Sequence, residues 1–329
     1  MRLLFLFGLL LWQTTFGQIA ISERAWVDRL DLSGALPPNL LATRSAAFYN
    51  YRLTPKELGS IQESFQQTGI DAVFYFELDK LTAGKDITRA FTEYLAKREV
   101  SNLLFVEKDD AGFRITVTTF KDQEGLIAPE QAAWSVSNRL LTEALKELYR
   151  TSSNQQKKEN LLINDVPEMD MKINPILGKR NEFYAMDLKV DPLAVPKTGN
   201  ELIDQRIAEI FEQNYPLKYK ITEPGISERD LRRQGLLYIV CYVHARGVVA
   251  RELLGYDMSK SESAFVSVTY PQDQQEVRNI PANTPVFKFY FKHIDSGNVF
   301  LGTKWDADLT WEEALLNQIN GMKAELRLE

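Results

Sequence analysis

Five consecutive residues, Ala72-Val73-Phe74-Tyr75-Phe76, are apolar at both parities. Such a strand has no side to show to water, so it must lie inside a sheet covered on both faces. Its flanks supply the cover. Upstream, Ala47 to Leu53 reads as a strand. Thr54-Pro55-Lys56-Glu57 then joins an N-cap, a proline at the first helical position and a capping-box glutamate. The helix they open carries Leu58, Ile61 and Phe65 at helical spacing and stops at Gly69. Downstream of the strand, Asp71 to Leu78, a second helix runs from about Asp86 to Lys97 with Ile87, Phe91 and Leu95 inward. Strands alternating with amphipathic helices predict an α/β (α+β) chain.

Leu103 to Glu107 and Phe113 to Thr119 read as strands joined by the turn Asp109-Asp110-Ala111-Gly112. A long amphipathic helix from about Glu130 to Tyr149 closes this unit. Thr151 to Glu159 is almost devoid of apolar residues and marks its end. Four prolines (167, 175, 192 and 196) then punctuate an irregular stretch with one expected strand, Phe183 to Val190. The expected organisation is a first domain at 18–150, a linker at 151–182 and a second domain at 183–329. Each domain is a small mixed sheet of a few strands packed against helices and closed by a long helix.

The second half repeats the rhythm. Asn200 opens a helix with Ile203, Ile207, Ile210 and Phe211 inward, and Lys218 to Thr222 is a short strand. Ser227-Glu228-Arg229-Asp230 caps a helix ending at Gly235. Leu236 to His244, Ala264 to Tyr270 and Pro285 to His293 are strands, and Thr310-Trp311-Glu312-Glu313 caps a terminal helix to about Leu326. Arg44…Phe48-Tyr49 and Arg180…Phe183-Tyr184 begin the halves alike. In Pro285 to His293, Phe287, Phe289, Phe291 and His293 point one way, while Lys288, Tyr290 and Lys292 point the other. One face is therefore expected in the core and one in water. A three-residue loop, Asp295-Ser296-Gly297, would place Phe291 opposite Leu301 and Phe287 opposite Trp305.

The amino terminus reads as an export signal. Arg2 precedes an apolar run, Leu3 to Trp12, too short to span a bilayer, and Thr15-Phe16-Gly17 offers a small-x-small cleavage site. The mature chain then starts at Gln18, periplasmic or secreted, with no cysteine there to carry a lipid. No second stretch reaches membrane-spanning length. The 39 basic and 45 acidic residues are mixed along the chain and leave a net charge of -6, which excludes the basic stripe of a nucleic-acid binder. With one cysteine, Cys241, there is no internal disulfide. With two histidines besides, a Cys/His zinc site is nearly excluded.

Residues 53–149 resemble the TPM domain, an extracytoplasmic α/β module. The resemblance rests on Leu53-Thr54-Pro55-Lys56-Glu57, Thr68-Gly69-Ile70-Asp71, Gly84-Lys85-Asp86-Ile87, and Asn102 to Val106 followed by Asp109-Asp110 and Phe113-Arg114-Ile115. Some members of that family are phosphatases or bind divalent metal, so the resemblance implies a metal role for Asp109 and Asp110. The family's glycine-rich stretch is missing beyond Thr119. Residues 200–327 resemble the amino-terminal domain of TolB and CsgG-type envelope domains. Here the carriers are Tyr219 to Thr222, Leu231 to Val240, and the hairpin from Phe289 to Gly297. That resemblance implies a binding and assembly module.

The candidate residues have bland readings beside sharp ones. Cys241 and His244 sit on opposite faces of one strand and cannot meet as nucleophile and base; Cys241 with His293 across strands remains open. Asp306 and Asp308 read as charges flanking a helix start, with a divalent site as the alternative. Asp109 and Asp110 read as turn formers or metal ligands; Glu77 and Asp79 end a central strand, where α/β ligand sites often lie. Arg246 and Arg251 could hold an anion, and Ser259 to Ser263 reads as a loop. No serine- or zinc-hydrolase motif occurs.

Two functions remain. The first is a non-enzymatic binding or assembly protein of the cell envelope with a protein partner, contacting it through Tyr290, Lys292 and Phe300 on the watery face of the last hairpin. The alternative is a phosphoester hydrolase using Ca or Mg on Asp109, Asp110 and Asp79. A third variant binds an anion at Arg246 and Arg251.

Overall fold

The computed structural model describes residues 25–28, 30–121, 126–128, 130–169, 173–271 and 274–328; the expected export signal lies outside them. The first half contains α1 (Ala25–Asp28), β1 (Arg44–Tyr49), α2 (Pro55–Thr68), β2 (Asp71–Glu77), α3 (Leu78–Leu81) and α4 (Lys85–Lys97). It continues with β3 (Val100–Asp109), β4 (Gly112–Thr119), β5 (Trp134–Asn138), α5 (Leu141–Gln155) and β6 (Glu168–Met169). These strands form a six-stranded sheet in the order β5-β4-β3-β1-β2-β6.

The second half contains β7 (Arg180–Asn181), a 3-10 turn at Met186–Lys189, β8 (Leu193–Pro196), α6 (Glu201–Asn214), β9 (Tyr219–Thr222) and α7 (Glu228–Arg233). Then come β10 (Tyr238–Arg246), α8 (Gly247–Leu253), β11 (Ala264–Thr269), β12 (Glu276–Pro281), β13 (Pro285–His293), β14 (Val299–Phe300) and α9 (Trp311–Leu326). The second sheet also has six strands, ordered β7-β14-β13-β10-β8-β9, and β11 with β12 makes a separate two-stranded ribbon.

The local chemistry explains the elements. Thr54 accepts the Glu57 N–H, Glu57 accepts the Thr54 N–H at 2.8 Å, and Gly69 at φ 101° ends α2. Asn200 caps α6 by accepting from Leu202 and Ile203.

The two sheets share one plan. β1 lies parallel to β2 and β3, as β8 does to β9 and β10. β3-β4-β5 then continue antiparallel, as do β10-β13-β14. The first crossover helix is 14 residues in each half, and α5 or α9 closes the unit. The common rhythm in the sequence is thus a repeated fold, but the counterpart of β1 is β8, not the stretch from Arg180.

Helices α2 and α5 cover one face of the first sheet, and α6 and α9 cover the equivalent face of the second. The other face of the first sheet carries α4, and the second sheet packs its own other face against that layer. Phe48, Phe76 and Phe91 of the first half belong to the same buried cluster as Val243, Ala245, Val286, Tyr290 and Trp305 of the second. Chain crossing there is close. His244 N–H donates to the Ala83 carbonyl at 2.7 Å, and a Cβ on Gly84 would lie 2.6 Å from the Tyr242 carbonyl oxygen.

Several expectations are corrected. The helix expected from Glu130 begins only at Leu141, because Trp134 and Val136 alternate with Ser135 and Ser137 and make edge strand β5. The strand expected over Phe183–Val190 is a 3-10 turn, since Tyr184 and Leu188, four residues apart, are buried while Phe183, Met186 and Val190 are exposed. The stretch 151–182 carries β6 into the first sheet and β7 into the second. In the last hairpin Gly297 adopts φ 66° as expected, but Phe291 pairs with Phe300 and Lys292 with Val299, one residue off the expected register. The alternation could not select the register because both faces of β13 are buried.

That burial also overturns the proposed contact patch. Tyr290 is 4 % exposed and Lys292 7 %. The face read as watery is the one turned toward the first half. Only Phe300 keeps partial exposure, and it packs against the α6–α9 core.

Candidate functional site

The carboxyl ends of parallel strands are where α/β sheets commonly bind ligands. In the first sheet that place is filled by a side chain of the second. Arg246, the last residue of β10, donates Nε to Asp79 at 2.6 Å, one terminal nitrogen to Glu77 and the other to Asn283 at 3.2 Å. Its guanidinium lies 4.1 Å from the centre of the Tyr51 ring. Burial raises the Glu77 carboxyl above its ordinary range, and Arg246 opposes that rise. Asp79, expected as a metal ligand, and Arg246, expected as an anion site, are therefore each other's partners. Arg251 lies elsewhere, 4.4 Å from the Phe265 ring centre and beside Glu262 at 3.5 Å. The two arginines do not converge on one anion.

Asp109 and Asp110 sit in the β3–β4 turn. Asp109 accepts the N–H groups of Ala111 at 2.8 Å and Gly112 at 3.0 Å, which fixes the turn. Asp110 pairs with Arg52 at 3.0 Å, in solvent. An open cleft of ≈ 530 Å³ adjoins them, lined also by Lys108 and Arg139. Among the described residues no three His, Cys, Asp or Glu side chains are grouped to hold a metal.

A second ionic cluster closes the seam between the sheets. Lys292 Nζ lies 2.6 Å from Asp86 and 2.8 Å from Glu228. Burial works against the ammonium, but its contacts with the Asp86 and Glu228 carboxylates outweigh it and hold its pKa above the ordinary value. Cys241 Sγ donates to Asp86 at 3.6 Å, and burial pushes its thiol far up, so it remains protonated. In the ladder Cys241 faces Tyr290 and His293 faces Tyr238, so the open Cys241–His293 pairing is not formed. His244 stacks flat on Phe287 at 3.9 Å.

Asp306 and Asp308 part company. Asp308 accepts from Leu309 N–H, Arg278 and Asn317, a structural role before α9. Asp306 is paired in the interior with Lys288, whose Nζ lies 2.6 Å from Oδ1 and also donates to the Leu301 carbonyl and to Gln318. Lys288 is 0 % exposed. Burial raises the Asp306 carboxyl and lowers the Lys288 ammonium, and their contact opposes both shifts. Asp306 also lines a cleft of ≈ 180 Å³ with Tyr184, Tyr270, Gly302, Gly321 and Glu325. Sequence reasoning missed this assembly. A lysine between two core phenylalanines of an alternating strand reads as solvent-facing, so nothing local signalled the buried carboxylate that it meets.

Ribbon β11–β12 was half missed, since only β11 was expected. Its inner face buries Phe265, Ser267 and Ile280; Ser267 donates to the Ala307 carbonyl and Val268 N–H to that of Trp305. Its outer face shows Val266 at 58 % and Val277 at 68 % exposure. Among the described residues no strand lies beyond β12. Comparison with known proteins adds no identity to this geometry: no protein-family model matches the chain, and no curated protein matches it.

Proposed function

We propose that the protein is an exported, non-enzymatic binding module of the cell envelope that takes an extended segment of a protein partner alongside β12. The observation that carries this reading is the ribbon. Among the described residues no strand pairs with the outer edge of β12, and the ribbon has an apolar outer face at Val266 and Val277. Soluble proteins usually shield such edges, and strand addition is a common way of using one. The side chains with catalytic potential support the same reading, because Arg246, Asp79, Lys292 and Cys241 are committed to joining the two sheets. The alternative, a Ca- or Mg-dependent phosphoester hydrolase, needs Asp79 released from Arg246 to join Asp109 and Asp110.

The test is capture from envelope extract with the wild-type chain and with the double variant Val266→Glu, Val277→Glu. The wild type retains one dominant partner in near-equal amount, and the variant loses it at an unchanged melting temperature. Equal capture by both would refute the ribbon as the docking edge.

A further inference from the structure

The cleft beside α9 is built around one point. A Cβ on Gly321 would lie 3.7 Å from Asp306 Oδ2, 3.7 Å from the Tyr184 hydroxyl and 3.9 Å from the Tyr270 hydroxyl. Three oxygens thus surround a space that the glycine leaves free. Asp306 Oδ1 is turned to Lys288 at 2.6 Å, and Tyr184 donates its proton to the Gln318 carbonyl at 3.3 Å. Asp306 Oδ2 and the Tyr184 lone pairs are left to accept. A second glycine shapes the wall: a Cβ on Gly302 would come within 2.8 Å of the Tyr184 hydroxyl.

The charge at the mouth has the same sign. Glu325 stands there with its carboxylate fixed by the N–H groups of Tyr184 at 2.6 Å and Thr303 at 3.4 Å. Lys304, on the rim, is turned outward to Gln275 at 2.5 Å. Lys288 already pairs with Asp306 from behind, so the charge left over is that of Glu325 at the mouth; with the phenol rings and the acceptor oxygens it favours a cation that donates hydrogen bonds.

We propose that this cleft binds an alkylammonium group, with Asp306, Tyr184 and Tyr270 accepting its three N–H bonds. An ammonium carries three donors around one nitrogen, which matches three acceptors around one point. The volume of ≈ 180 Å³ admits a short alkyl chain and excludes a nucleotide or sugar phosphate. The ammonium is either a free amine or a lysine side chain, since both present the same group. The inference does not rest on the docking role of β12.

Calorimetric titration of the full chain with n-butylammonium, butyrate, tetramethylammonium and N-acetyl-lysine methylamide tests it. Butylammonium binds saturably and butyrate does not. Tetramethylammonium, which has the charge but no N–H, binds about tenfold more weakly or worse, the cost of lost charge-assisted hydrogen bonds. Tighter binding of the lysine derivative than of butylammonium identifies a peptide lysine as the source, and the reverse order a free amine.

Gly321→Ala places a methyl group at the meeting point in ordinary van der Waals contact, so it fills the site without disturbing the fold. It weakens butylammonium binding at least about tenfold with no loss of melting temperature. No saturable binding at high millimolar amine, equal binding of butyrate, or an unaffected Gly321→Ala variant overturns the proposal.

Discussion

Arg246 Nε and Asp79 Oδ2, from different sheets, meet at 2.6 Å where the parallel strands of the first sheet end. The crevice that such sheets use for ligands is thereby closed by the protein's own guanidinium. Arg246→Ala removes the guanidinium that Glu77 and Asp79 both contact. It should cost about 3 kcal/mol, as measured by the denaturant midpoint. Arg246→Lys restores only part of this, because an ammonium cannot make the three divergent contacts to Glu77, Asp79 and Asn283.

His244 supplies a pH test. Burial lowers its pKa to about 4, with Asp79 opposing. Between pH 6.5 and about 4 the unfolded chain holds a proton there that the folded chain does not. Stability from this group is therefore fully present above pH 6.5 and lost as pH falls toward 4. The loss is about 2–3 kcal/mol. His244→Phe keeps the stack on Phe287 and removes the titration, so its urea midpoint should fall less than that of the wild type between pH 6.5 and 4.5. Parallel curves would show that His244 does not carry the effect.

Two glycines should respond with opposite signs. Gly321→Ala, mid-helix and in unstrained contact, should stabilise by about 0.5–1 kcal/mol. Gly302→Ala combines φ 80° with a 2.8 Å approach to the Tyr184 hydroxyl and should destabilise by more than about 1 kcal/mol. Thermal melts of the two variants check both.

The alternating strand β13 marks how far the sequence was legible. The order of strands and helices came through, because caps such as Thr54–Glu57 and apolar runs such as Ala72–Phe76 act locally. What Tyr290 and Lys292 face did not. A lysine next to a core phenylalanine in an alternating strand reads as a solvent position unless Asp86 and Glu228, distant in sequence, are known to meet it. The Lys288–Asp306 cleft and the Arg246 seam were hidden for the same reason. Asp79 and Arg246 were singled out, yet as separate sites, since only the packing of one repeat on the other joins them.

The shared core predicts that the two repeats unfold as one cooperative unit. Tyr290→Ala removes a buried ring from that core and should cost about 3 kcal/mol. Native-state hydrogen exchange in β1 and β10 should accelerate together. Acceleration confined to the second sheet would show that the repeats unfold independently.

The docking claim is tested most directly by a photo-crosslinking residue at position 277, on the outer face of β12, against one at Glu147, on the exposed side of α5. Irradiated in envelope extract, position 277 should give one discrete adduct and position 147 none. No adduct at 277, or the same adducts at both positions, would contradict a binding module that docks its partner on β12.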